Sequence, residues 1–138
     1  MTGADPNAVR LVLNYVEASQ RAQDSRDPAD FAKLREYLAE DLVITQASAW
    51  TDSPWRVVHE GRETLLARLH APTNAAALLH TKTVNAVAAG NEVLVEQIST
   101  ITTSGGECVS AVCFMFSVSG GKITGGRLYR NDANLPVG

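Results

Sequence analysis

The stretch "VLVEQISTITTSGGECVSAVCFMFSVSGGKITGGRLYR", Val93 to Arg130, decides the fold. It is rich in β-branched and aromatic residues, and Gly-rich tetrapeptides cut it. With the preceding "LHTKTVNAVAAGNE" it divides into four extended runs. These are Leu79 to Ala89, Val93 to Thr103, Glu107 to Ser119 and Lys122 to Asn131. The separators "AGNE", "SGGE" and "SGGK" carry the glycines that hairpin turns need for positive backbone angles. The reading is an antiparallel meander. Its second run poses a question about faces. Alternation puts Val93, Val95, Gln97, Ser99 and Ile101 on one side, and Leu94, Glu96, Ile98, Thr100 and Thr102 on the other. Neither side is cleanly apolar. Burying Gln97 and Ser99 in a dry core without partners would cost free energy.

Upstream of the meander the periodicity is helical. Asp5 caps a first helix and Pro6 occupies its first position. Val9, Val12, Leu13 and Val16 recur at helical spacing through it. In "RDPADFAKLREYLAED", Asp27 caps, Pro28 follows and Asp30 suits the helix dipole, with Phe31, Leu34 and Leu38 as the apolar stripe. "DLVITQAS" and "WRVVHE" read as strands, with "AWTDSPW" as the loop between them. "GRETLLARLH" is a third helix that buries Leu65, Leu66 and Leu69 and stops before Pro72. Helices first and strands later predict an α+β fold, with helices on one face of a curved sheet.

The 138 residues suggest a single domain, 1–138, with one core. Hydrophobic residues make up 45% and charged residues 20%, ordinary for a globular chain. A net charge of −3 and a pI near 5.5 argue against a nucleic-acid partner. No apolar run spans a bilayer, and the N-terminus lacks the features of a signal peptide, so no membrane partner and a cytoplasmic location are expected. Cys108 and Cys113 sit five apart in one run, hence on opposite faces, and read as free thiols. His59, His70 and His80 show no ligand spacing, so neither metal nor cofactor is expected.

Three local patterns, "YLAEDLVIT", "EGRETLLARL" and "FSVSGGKITGGRLYRND", together with the element order, resemble the SnoaL-like branch of the NTF2-like superfamily. The resemblance covers roughly Val9 to Asp132. It implies a cone-shaped NTF2-like (cystatin-like) fold, with three helices packed on a strongly curved, mainly antiparallel sheet around an apolar pocket. It also implies a homodimer through the outer face of the sheet. Ketosteroid isomerases, limonene-epoxide-hydrolase-like enzymes, polyketide cyclases and proteins without catalysis share that fold. The inward Arg and Asp of the epoxide hydrolases fall at Gln97 and Ser99. The inward acid of the isomerases and cyclases falls at Phe114, and the isomerase base near Gln46. The tyrosine of the first helix is kept, as Tyr15.

Three acidic sites of three chemistries are thus neutral here. Gln takes no proton as a general base at neutral pH, and Phe donates none. The function expected from the resemblance is a polyketide-type cyclisation or isomerisation of a hydrophobic, carbonyl-bearing molecule, by positioning and neutral hydrogen-bond donors. The alternatives are a non-catalytic ligand-binding protein and a dimeric interaction module. The candidate catalytic residues are Tyr15, Gln97 and Ser99; the candidate ligand-binding residues are Gln46, Trp50, Trp55, Phe114 and Phe116. Tyr15 reads equally as a core tyrosine with a wet hydroxyl, and Trp55 as an anchor for its loop. His59 or His80 would serve as proton carrier if there is catalysis. No Arg or Lys falls at the inward positions of Leu42 to Ala47 or Val93 to Thr103, so uncharged ligands are expected to bind better than dianionic ones. Outward positions on "ECVSAVCFMFSVS", namely Ala111, Cys113 and Met115, are expected at the dimer interface.

Overall fold

The structure is a computed structural model that describes residues 6–47, 55–71 and 79–130. Asp5, Trp50 and Asp132 lie outside the described residues. Helix α1 (Pro6–Ser25) buries Ala8, Val12, Tyr15 and Ala22, while Val9 and Val16 pack at its flanks. The buried stripe is therefore centred on Val12 and Tyr15. α2 (Pro28–Lys33) starts as its sequence demands. The Asp27 carboxylate accepts a hydrogen bond of 2.9 Å from the Ala29 N–H, and Pro28 takes the first turn.

The second helix ends sooner than its apolar spacing suggests. A 3-10 turn (Leu34–Glu36) follows, and Leu38 already opens strand β1 (Leu38–Ala47). Leu38 pairs with Ile123, whose N–H donates to the Tyr37 carbonyl at 2.8 Å, so the sheet captures the backbone that helical periodicity would have continued. Leu38 is buried all the same. The remaining elements are β2 (Trp55–Glu60), α3 (Arg62–His70), β3 (Leu79–Ala89), β4 (Glu92–Thr103), β5 (Gly106–Ser119) and β6 (Lys122–Arg130).

The six strands form one sheet in the order β2-β1-β6-β5-β4-β3. β3 to β6 make the antiparallel meander, and β1 joins β6 in parallel. Irregularities interrupt the ladders at Ile44/Thr45, Thr83/Asn85 and Ser117/Val118. Such bulges bend and twist a strand, which lets this sheet curve around the helices. α1 packs on β3, β4 and β6, and α3 on β1 and β2. Leu34, Leu38, Leu42, Ile123, Val12, Val93 and Val95 are sealed between the layers. This is an α+β architecture with its helices on the concave face. Among the described residues no helix is long and apolar enough to cross a membrane.

Two contacts fix α3. Arg35 grips the Glu63 carboxylate through Nε and Nη2, at 2.9 and 2.6 Å. Arg26 donates from Nη1 to the Leu69 carbonyl at 3.3 Å, and from Nη2 to those of His70 and Ala71 at 2.8 and 3.2 Å.

Candidate functional site

The question of the two faces has a structural answer. On β4 the concave side carries Val93, Val95, Gln97 and Ser99, all buried, and Glu96 is exposed on the other side. Register continues that side into β5, with Val95 opposite Phe114 and Gln97 opposite Val112. It runs on into β6, with Phe114 opposite Leu128 and Phe116 opposite Gly126. Gln97, Ser99, Val112, Phe114, Phe116 and Leu128 border a cavity of ≈ 330 Å³ between the sheet, α1 and α3, while Val93 and Val95 belong to the sealed core. Gln97 and Ser99 line it without sitting in the dry core.

Tyr15, Gln46, Gln97, Ser99, Phe114 and Phe116 all border this one cavity. Phe114 and Phe116, two apart on one face of β5, stack with ring centroids 4.2 Å apart and planes 4° from parallel. Gly126 makes room for them, because a Cβ there would run into the Phe114 ring and approach Ile44 Cδ1 to 3.3 Å. Tyr15 meets Phe116 edge to face at 6.0 Å and Tyr37 at 6.3 Å. Burial pushes the Tyr15 pKa up to about 12, against a smaller opposing effect of its hydrogen bond with Ser19. It therefore stays a neutral phenol that donates or accepts a hydrogen bond without losing its proton. The Trp55 backbone opens β2 opposite Ala47, but its side chain lies outside the described part of the structure, as does all of Trp50.

Other residues join the site that strand alternation did not single out. From α1 come Ser19 and Gln23, from β3 Thr81, from β2 His59, and from α3 Arg68. Arg68 lies one helical turn from Leu65 and beside Leu69, both on the cavity, so helical spacing carried the signal for it. Its presence corrects the expectation of a pocket without a cation, which considered strand positions only. Thr81 is held by α1: its N–H and hydroxyl both donate to Gln20 Oε1, each at 2.9 Å. Burial, together with the Arg68 charge, lowers the His59 pKa below the ordinary imidazole value. Among the described residues bordering the cavity none is Asp or Glu. The arrangement can donate hydrogen bonds, stack flat groups and hold an apolar body, but offers no carboxylate base.

The fold is that of NTF2-like proteins. An NTF2-like protein from Burkholderia xenovorans LB400 superposes with a TM-score of 0.68 at 20% identity, covering 95% of this chain and 93% of that one. A putative SnoaL-like polyketide cyclase from Jannaschia sp. CCS1 gives 0.66 at 15% identity, covering 95% and 92%. An LEH-like epoxide hydrolase of M. tuberculosis gives 0.63 at 24% identity, covering 91% and 83%. The SnoaL-like domain model matches residues 16–125, so the chain belongs to the SnoaL-like family. None of the functionally curated proteins matches the sequence at a significant level.

Proposed function

We propose that the cavity binds a hydrophobic, carbonyl-bearing small molecule and acts on it as a cyclase or isomerase. The action is by positioning and by neutral donors from Tyr15, Gln97 and Ser99. Gln46, Trp50, Trp55, Phe114 and Phe116 belong to the ligand-binding set of this reading. The observation that carries it is the convergence of buried polar side chains on a ≈ 330 Å³ cavity with stacked aromatic walls. That size is within the range of small-molecule sites. A neutral pocket can still speed a ring closure that needs little proton transfer, by holding reacting atoms close. The lack of an acid among the described lining residues favours a second reading, binding without turnover.

Gln97→Leu tests the pocket. The side chain is 8% exposed, so the apolar replacement should leave the melting temperature unchanged or higher. Affinity for a carbonyl ligand should drop by about 1–3 kcal/mol, as a buried polar group of the ligand loses its partner. Calorimetry showing unchanged affinity would remove Gln97 from the site. Turnover of a bound ligand separates the enzyme from the binding protein.

The proposed assembly is a homodimer through the convex face. There Val87, Leu94 and Met115 form one cross-strand row, and Ile98 with Ala111 another. Val87, Ile98, Val109 and Tyr129 are 50%, 36%, 60% and 39% exposed in the single chain, an apolar patch of the kind that marks interaction sites. Cys113, opposite Tyr129, belongs to the same face. Sedimentation is expected to show a dimer at micromolar concentration, and Ile98→Lys a monomer. A monomeric parent protein refutes this.

A further inference from the structure

His59 reaches the cavity through an irregularity in the β1–β2 ladder. Val57 pairs with Thr45, and His59 pairs with the next residue back, Ile44. Val58 and His59 thus stand together opposite one residue. An unbroken strand would keep His59 on the face of exposed Val57. Instead both Val58 and His59 border the cavity. A bulge re-aims side chains in this way, often beside functional sites. The imidazole Nδ1 is sealed from solvent and has no hydrogen-bond partner among the described residues. A buried polar atom left so carries a desolvation cost that no described residue offsets. Arg68 borders the same cavity from α3, near enough for its charge to act on the ring.

We infer that His59 and Arg68 form an anion subsite, and that the cavity takes apolar molecules carrying a single carboxylate. The inference rests on the reading of this cavity as a ligand pocket. A guanidinium presents a planar pair of donors that matches the two oxygens of a carboxylate, and a protonated imidazole supplies another. Val58, Leu65, Leu69 and the stacked Phe114 and Phe116 provide the apolar walls. One fixed cation suits one negative charge, because a second buried charge would lack a partner.

The subsite has a pH signature. Arg68 faces His59 from α3, and Tyr15 borders the cavity from α1; the lining from β1, β3, β4, β5 and β6 is uncharged. Arginine stays protonated, and Tyr15 at about 12 stays neutral, so between pH 8 and pH 5 proton uptake within the cavity falls to His59. In the free protein the ring is held below its ordinary value. A carboxylate beside it favours the charged form and raises that value. Binding then takes up a proton, and affinity rises as pH falls between the two values, while the carboxylate itself is still ionised.

The test is calorimetric titration of the full chain with 2-naphthoate and with methyl 2-naphthoate. The acid is expected to bind about tenfold or more tightly than the ester at pH 7, a preference that Arg68→Gln abolishes. Its affinity is expected to rise about fivefold from pH 7.5 to pH 5.5 in the parent protein, and to lose that rise in His59→Gln. Equal affinity for acid and ester, or a preference that survives Arg68→Gln, overturns the subsite. A pH dependence that survives His59→Gln overturns the part given to His59. Ester binding that weakens in Gln97→Leu while acid and ester bind alike leaves the pocket reading standing and removes only the subsite. Failure of both molecules to bind the parent protein overturns both.

Discussion

Gly126→Val is expected to destabilise the protein by about 3 kcal/mol, the upper range for forcing extra atoms into a packed interior. Gly126 pairs with Ile44 on one side and with Phe116 on the other, at the centre of the sheet. It is buried, and the space over its Cα is taken by the Phe114 ring and by Ile44 Cδ1. A valine there must push Phe114 off its stack with Phe116, so both the stability and the aromatic wall of the cavity should suffer. The double variant Gly126→Val/Phe114→Ala separates this from a general intolerance of β6. If the ring is the obstacle, the double variant loses less than the sum of the two single losses, with a coupling of about 1 kcal/mol or more. Strict additivity in urea unfolding would show that the clash is not with Phe114. Gly125 has a different constraint. A Cβ there would lie 2.9 Å from the Val43 carbonyl oxygen, and backbone does not rotate away as a side chain can.

The Gly-Gly pair shows what the sequence discloses and what it hides. Turn glycines were legible because each sits between two extended runs, and Gly90, Gly120 and Gly121 indeed have positive φ. From them the bounds of β3 to β6 follow to within a residue or so among the described residues. Gly125 and Gly126 do a different job, admitting Val43 and Phe114, and nothing local signals it. Leu38 has helical spacing from Leu34 and Phe31 and yet starts a strand, because β6 supplies hydrogen bonds only after folding. Period-two alternation put Gln97 and Ser99 on one face with Val93 and Val95 but left open which face was inward. The resemblance implied the answer, while the inward course of Arg68 was available from the spacing of Leu65 and Leu69. His59 was not. Its face depends on one extra residue opposite Ile44, and alternation counted along "WRVVHE" has no means of registering a bulge.

The second large effect lies at the junction of α1 and α3. Arg26→Ala is expected to cost about 2–3 kcal/mol, the scale of charge-assisted hydrogen bonds lost from a single anchor. After α1 ends, the Arg26 N–H donates to the Ala22 carbonyl at 2.8 Å, and its φ of 57° lies in the left-handed region. That turn aims the guanidinium at three carbonyls of the C-terminal end of α3 and sets it 5.2 Å above the Phe31 ring. A cation there satisfies orphan carbonyls and the negative end of the helix dipole together. Alanine loses the fork and keeps the strained φ. Glycine loses the fork but relieves the strain, so Arg26→Gly should be more stable than Arg26→Ala by about 1 kcal/mol. Lysine keeps charge without the planar fork and should fall between arginine and alanine. Denaturant unfolding checks the order, and amide exchange checks the place: protection should fall first in α3. Because α3 carries Leu65, Arg68 and Leu69 to the cavity, a loosened α3 also loosens that wall. An Arg26→Ala protein as stable as the parent would show that the end of α3 is held by something other than this fork, and an alanine variant more stable than the glycine one would show that the left-handed φ at position 26 carries no strain.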